Sequence, residues 1–189
     1  MKMDIRIIRS PRKTFSMALR PEGLIVRAPL WATDGQIKQF VDSHREWLRK
    51  AAARQGQRQR ELADIPQLNA NELCRLKAQA QVYISERVRH YAPIVGVTYG
   101  RITVKQQKSR WGSCSAKGNL NFNCLLMLAP LEVIDSVVVH ELCHRKEMNH
   151  SERFYREVLR VCPNYRECRR WLKEYGDTIM CRVVETKGK

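Results

Sequence analysis

The sequence contains no CxxC pair, and its seven cysteines (Cys74, Cys114, Cys124, Cys143, Cys162, Cys168 and Cys181) are odd in number. Both features argue against a disulfide framework and against a structural zinc site built on cysteine pairs. The thiols read instead as small apolar packing residues in a reducing, cytoplasmic setting. No apolar run approaches the roughly 20 residues of a membrane span, so no membrane contact is expected. The start, Met1 to Arg6, has no apolar stretch before a small-residue cleavage site, and no secretory signal is expected there. Gly96 and Gly100 stand alone, so there is no glycine-rich phosphate loop, and no GxSxG serine elbow occurs. Internal repeats and low-complexity tracts are also missing. Acidic residues are scarce, 19 against 35 lysines and arginines, and only five histidines are present.

The 189 residues are 43% hydrophobic, enough for one soluble domain with a core and a small appended subdomain. The net charge of +16 attracts polyanions: nucleic acid, nucleotides or ribosomal surfaces. The basic residues are spread along the chain, so the charge also fits a role in solubility alone.

Residues 1 to 30 read as short strands. Ile5 to Arg9 and Thr14 to Leu19 alternate, Ser10-Pro11-Arg12 and Pro21-Glu22-Gly23 are turns, and Leu24 to Ala28 resumes the extended pattern. An antiparallel meander is expected. A helix follows from Thr33-Asp34, with Ile37, Phe40, Val41, His44 and Trp47-Leu48 at helical spacing. His44 reads as a packing or capping residue. The Arg- and Gln-rich stretch from Arg49 to Arg60 is a solvated helix end or linker. Asn69 to His90 forms a long amphipathic helix, and strands are expected between Val95 and Val104 and over Leu120 to Leu128. The fold class is α+β: a small antiparallel N-terminal sheet with a helix over residues 1–60, then a compact domain over residues 61–189.

Leu131 to Val139 leads into His140-Glu141-Leu142-Cys143-His144, with apolar residues recurring as a buried helix requires. Histidines at i and i+4 lie one turn apart on one side, so two imidazoles can reach one ion at about 2.0–2.1 Å. Glu141 is offset from that pair. It is placed to take a proton from a water on the metal rather than to bind the metal itself. Cys143, on a buried helix without a base partner, is a poor nucleophile.

A catalytic zinc site takes three protein ligands and keeps one position open. His150 is the candidate third ligand, with Glu152 and Glu157 as its competitors. On a continuous helix His150 would lie about 15 Å from His140 along the axis, so the chain must turn. Asn149, which tolerates the left-handed conformation, is the expected turning residue. Ser151 is then the cap of a following helix, Glu152 to Val161, with Phe154 and Val158 inward.

His140 to His144, then Asn149-His150-Ser151 and Phe154, resemble the YgjP-like metal-dependent hydrolases, relatives of the SprT-like and other zincin peptidases. Arg110-Trp111-Gly112-Ser113-Cys114-Ser115, followed by Gly118 and Leu120-Asn121-Phe122-Asn123, is similar to that family's second signature. Pro163, Tyr165, Trp171 and Leu172 fit its C-terminal helix. The resemblance implies a zincin-like domain with an HExxH active-site helix. It also implies an edge strand, near Leu120 to Leu126, that can pair with an extended substrate. The spacing of His140, His144 and His150 equals that of the metzincin peptidases, but Glu147 stands where they place glycine and no methionine turn follows.

The expected activity is hydrolysis with one Zn(2+) per chain, or another divalent metal, held by His140, His144 and His150, with Glu141 as base. Arg110 is a candidate for binding a carboxylate or phosphate, Trp111 for walling the cleft, and Tyr155 or Tyr165 for stabilising an oxyanion. Peptide-bond cleavage leads. The alternatives are nucleoside triphosphate pyrophosphatase activity, with UTP as the substrate the resemblance implies, and an SprT-like protease or binding module associated with nucleic acid.

Overall fold

The computed structural model describes residues 4–20 and 22–183, with Gln59 by its backbone only. Met1 to Met3 and Pro21 of the expected Pro21-Glu22-Gly23 turn lie outside the described residues. The chain divides into two compact units, Met1–Asp64 and Ile65–Lys189.

The first unit contains β1 (Ile5–Ser10), β2 (Ser16–Arg20), β3 (Gly23–Pro29), α1 (Asp34–Ser43) and α2 (Arg45–Ala63). Its sheet is mixed, not an antiparallel meander. The order is β1-β3-β2, with β1 parallel to β3 (Ile5 opposite Leu24) and β2 antiparallel to it. The reason lies in burial. Leu24, Val26 and Ala28 of β3 are the most apolar alternating set and take the centre, whereas Ile5 and Ile7 of β1 remain about half exposed at the edge. Gly23 permits the close approach of β1: its φ is +139°, and a Cβ there would stand 2.5 Å from the Asp4 carbonyl. That same carbonyl accepts the Leu24 N–H at 2.8 Å.

α1 begins in a capping box. The Thr33 side chain accepts the Gln36 N–H, and Gln36 accepts the Thr33 N–H. The expected single helix is broken at His44, whose Nδ1 lies 2.8 Å from the Phe40 carbonyl and whose ring packs 4.6 Å from Phe40. The Arg- and Gln-rich stretch continues as α2, largely exposed on its outer faces.

The second unit contains α3 (Ala70–Val95), β4 (Ile102–Lys105), β5 (Gly112–Cys114), β6 (Leu120–Asn123), a 3₁₀ turn (Cys124–Leu128), α4 (Leu131–Cys143), α5 (Glu152–Val161) and α6 (Tyr165–Met180). Its sheet is also mixed: β6 is central, parallel to β4 and antiparallel to β5. β6 is thus not the edge strand expected near Leu120 to Leu126. Leu120 and Phe122 are fully buried and hold it in the middle, and β5 forms an edge. The strand also stops at Asn123 rather than Leu128. The buried Asn123 side chain accepts the Leu125 N–H and donates to the carbonyls of Gln107 and Arg110 at 2.8 and 3.1 Å, which turns the chain into the 3₁₀ segment.

α4 is apolar on nearly every side, from Val133 to Cys143, as a helix in the centre of a core must be. It is tied to α3 by Arg87, whose guanidinium donates to both oxygens of Asp135 at 2.6 and 2.7 Å, and by Tyr91, whose hydroxyl donates to the same carboxylate at 3.0 Å.

Candidate metal centre

α4 carries His140 and His144 one turn apart on one side and ends at Cys143, earlier than the sequence predicts. Asn149 is not a left-handed turning residue, since no described non-glycine residue has positive φ. The chain turns by tightened bonds instead: Arg145 N–H to Leu142 O at 2.9 Å and Lys146 N–H to Cys143 O at 2.9 Å. Arg145 braces the turn through its guanidinium, which donates to the carbonyls of Thr98 and Ala116. A Cβ on Gly118 would meet that guanidinium at 2.9 Å. The turn returns His150 to the helix end, where Ser151 caps α5 by accepting the Phe154 N–H.

The three imidazoles converge. Nε2 of His140 stands 3.2 Å from Nε2 of His144 and 3.1 Å from Nε2 of His150. Nitrogens at about 2.0–2.1 Å from a tetrahedral ion are separated by about 3.3 Å, so the spacing fits one ion. The tautomers fit as well. Nδ1 of His144 lies 3.1 Å from the Glu147 carbonyl, which can only accept, so Nδ1 carries the proton and the Nε2 lone pair faces the centre. Nδ1 of His140 is bonded to the Tyr165 hydroxyl at 2.7 Å, which fixes that ring in turn. Phe154, fully buried, lies beneath all three rings at 4.6 to 4.9 Å between centroids. Burial, with the neighbouring His144, His150 and Arg169, pushes the His140 pKa down to about 3. Burial also lowers that of His144. Both rings are therefore neutral and able to bind a metal at neutral pH.

Glu152 and Glu157 do not join the cluster. Glu157 is engaged by Lys146 at 2.9 Å and Arg160 at 3.1 Å, and Glu152 by Arg156 at 3.6 Å. Among the described residues the set of potential ligands consists of His140, His144 and His150, which leaves room for a non-protein ligand.

Glu141 is 5% exposed, and burial pushes its carboxyl up to about 8. Its Oε2 is buried without a hydrogen-bond partner, a costly arrangement for a polar atom. Gly112 of β5 makes its seat: a Cβ there would meet Oε1, Cγ and Cδ of Glu141 at 2.6 to 2.9 Å. Trp111, next in chain, packs in turn against Gly176 of α6, where a Cβ would lie 3.2 Å from its ring. The motif from Arg110 to Ser115 therefore builds one wall of the site.

A cavity of about 240 Å³ opens beside His140 and Glu141, and Arg110 and Trp111 both line it. Arg169 of α6, which the sequence alone does not single out, lines it too. Tyr165 is committed to His140. Tyr155 flanks His150, with ring centroids 6.2 Å apart. Cys143 is fully buried, and burial pushes its thiol up to about 12, far from a reactive thiolate.

Three convergent imidazoles beside a buried carboxylate, at the mouth of a cavity, define the class: a metal-dependent hydrolase. Residues 74–175 match the family described as YgjP-like, metallopeptidase domain. The match covers more than half of the sequence, and the chain belongs to that family. Two solved structures are similar over part of it. The metallopeptidase zymogen of Pyrococcus abyssi abylysin shares 23% identity over 49% of this chain and 95% of its own, with a TM-score of 0.45. The metallopeptidase zymogen of Methanocaldococcus jannaschii jannalysin shares 20% over 48% and 95%, with a TM-score of 0.40. No curated protein matches. No described helix is long and apolar enough to cross a membrane.

Proposed function

We propose that the chain is a zinc-dependent peptidase in which His140, His144 and His150 hold the ion and Glu141 moves the proton. The observation that carries this reading is the convergence of three Nε2 atoms, 3.1 and 3.2 Å apart, beside a buried, unpartnered carboxylate. Three imidazoles without a thiolate, and with room for a fourth ligand, suit catalytic zinc. When bound, the ion supplies Lewis acidity, polarising the scissile carbonyl and acidifying water. Glu141 accepts the water proton and returns it to the leaving amine. Gly112 holds the Glu141 carboxylate in place, and Tyr165 and the Glu147 carbonyl hold the imidazoles. With a cation held by the three histidines, the Glu141 carboxyl would ionise below the value of about 8 set by burial and so serve as the base. β5, at an edge of its sheet and against Glu141, is where an extended peptide would add as a strand. Seven cysteines, all free thiols, support a reducing, cytoplasmic setting.

A screen of casein and mixed peptides against UTP and other nucleoside triphosphates, with wild type and Glu141→Gln side by side, tests the reading. Peptide cleavage by wild type is expected. Glu141→Gln should keep one zinc per chain by mass spectrometry and lose roughly 10²- to 10⁴-fold in turnover. Turnover of UTP with intact peptides would overturn the peptidase assignment.

A further inference from the structure

The cavity beside Glu141 has a composition that the hydrolytic chemistry does not require. Trp111, Val137 and Leu172 give it apolar walls. Its charged lining, apart from Glu141, is two guanidiniums that the fold brings together from distant parts of the chain: Arg110, just before β5, and Arg169, on α6. Arg169 lies against the Tyr155 ring, 6.0 Å from its centroid, which limits where the guanidinium can go. The Trp111 wall is seated on Gly176.

We propose that this cavity is a specificity pocket for a carboxylate on a short apolar stem, so that the enzyme cuts beside an acidic residue or a C-terminal carboxylate. The inference rests on the peptidase reading above. Two planar guanidinium forks match a carboxylate by paired, charge-assisted hydrogen bonds, and the apolar walls take the methylene stem. The size limits the occupant. A volume of about 240 Å³ lies below the roughly 300–1,000 Å³ of ordinary small-molecule sites, so the pocket suits one side chain rather than a whole nucleotide. The overall excess of basic residues, 35 against 19, attracts acidic peptides to the protein as a whole.

Cleavage-site profiling of a mixed peptide library with the full-length, zinc-loaded protein tests the inference. Asp, Glu or the chain terminus should be enriched at one fixed position next to the cut bond. Arg110→Met and Arg169→Met should each lower turnover of acidic peptides, relative to their Asn or Gln counterparts, by roughly ten- to hundredfold. Arg169→Glu should shift the preference toward Lys. Both arginines are exposed, so these variants should fold, as circular dichroism would verify. Amidated peptides separate the two sources: resistance to cleavage identifies the terminal carboxylate, and unchanged cleavage the side chain. Cleavage without acidic preference, or a preference indifferent to both arginines, would overturn the pocket while leaving the peptidase reading intact. If no peptide is cut, calorimetry of Glu141→Gln with an acidic tetrapeptide and its glutamine counterpart decides. Binding that needs both arginines then supports the pocket although the peptidase reading has failed, and equal or absent binding overturns the pocket too.

Discussion

The two units build sheets of the same topology and use them differently. In each, the third strand lies between the other two, parallel to the first and antiparallel to the second. In Met1–Asp64 that arrangement covers a small core of Leu24, Val26, Ala28, Ala32, Ile37 and Leu48. In Ile65–Lys189 it backs a large core that runs from Ala80 to Ile179. The buried polar side chains separate the units more sharply. Asn123, Ser136, Glu141 and His144 all belong to the second unit. A polar group survives burial only where its surroundings over-determine it, and only the larger core supplies such surroundings. Among its described residues, the small unit buries no polar one. The large one holds the three converging histidines.

The largest expected effect that probes this contrast comes from Phe154→Ala. Removing a ring buried under three imidazoles should cost roughly 3–5 kcal/mol in urea denaturation and weaken zinc binding. Ile37→Ala, in the small core, should fall toward the low end of roughly 2–5 kcal/mol and leave zinc affinity unchanged. Loss of zinc in Ile37→Ala would break the comparison.

Acidity sharpens it further. In the folded metal-free protein, His140 is held near pKa 3 against an ordinary value of 6.5, so the folded state takes up its proton less readily than the unfolded chain. That contribution to stability is complete above about pH 6.5 and is lost as the pH falls toward 3. Glu141 runs the other way. Raised from 4.5 to about 8, it favours the folded state below its unfolded value, and that contribution fades as the pH rises toward 8. Thermal melting of chelator-treated protein should therefore peak between about pH 4.5 and 6.5. A melting temperature that rose steadily to pH 8 would contradict the burial of Glu141.

A smaller effect is expected at the seat of the base. Gly112→Ala places a methyl group against the Glu141 carboxylate and should lower kcat by roughly ten- to hundredfold, with zinc content retained and KM little changed. An unaltered kcat would show that Glu141 does not depend on this contact. Smallest is Arg87→Met, which strands the partly buried Asp135. With both side chains still reached by solvent, a loss of about 1 kcal/mol is expected on denaturation.

Much of this was legible along the chain. The HExxH spacing, the Ser151 cap and the apolar run from Val133 to Leu142 are local patterns, each set by one helix period or one turn. Strand order was not legible. Alternation marks a strand, but which strand takes the centre depends on how much apolar surface its neighbours leave to cover, so the first sheet proved mixed and β6 central. The helix end was misplaced for a related reason. Arg145 stops α4 early by reaching the carbonyls of Thr98 and Ala116, partners far away in sequence. Arg169 escaped notice, and nothing local shows that Tyr165, named for an oxyanion, bonds His140 or that Gly112 lies against Glu141, because these residues are remote in sequence.

By itself, then, the sequence placed the candidate chemistry: two imidazoles one helical turn apart with a carboxylate between them, a spacing that helix geometry puts on one side of α4. Only the tertiary structure decided how that chemistry is held and aimed. Burial raises Glu141 and lowers His140, Gly112 and Tyr165 orient them, and two arginines from separate elements meet in one cavity. Each of these depends on distances between parts of the chain that are remote in sequence, and those distances exist only after the core has packed.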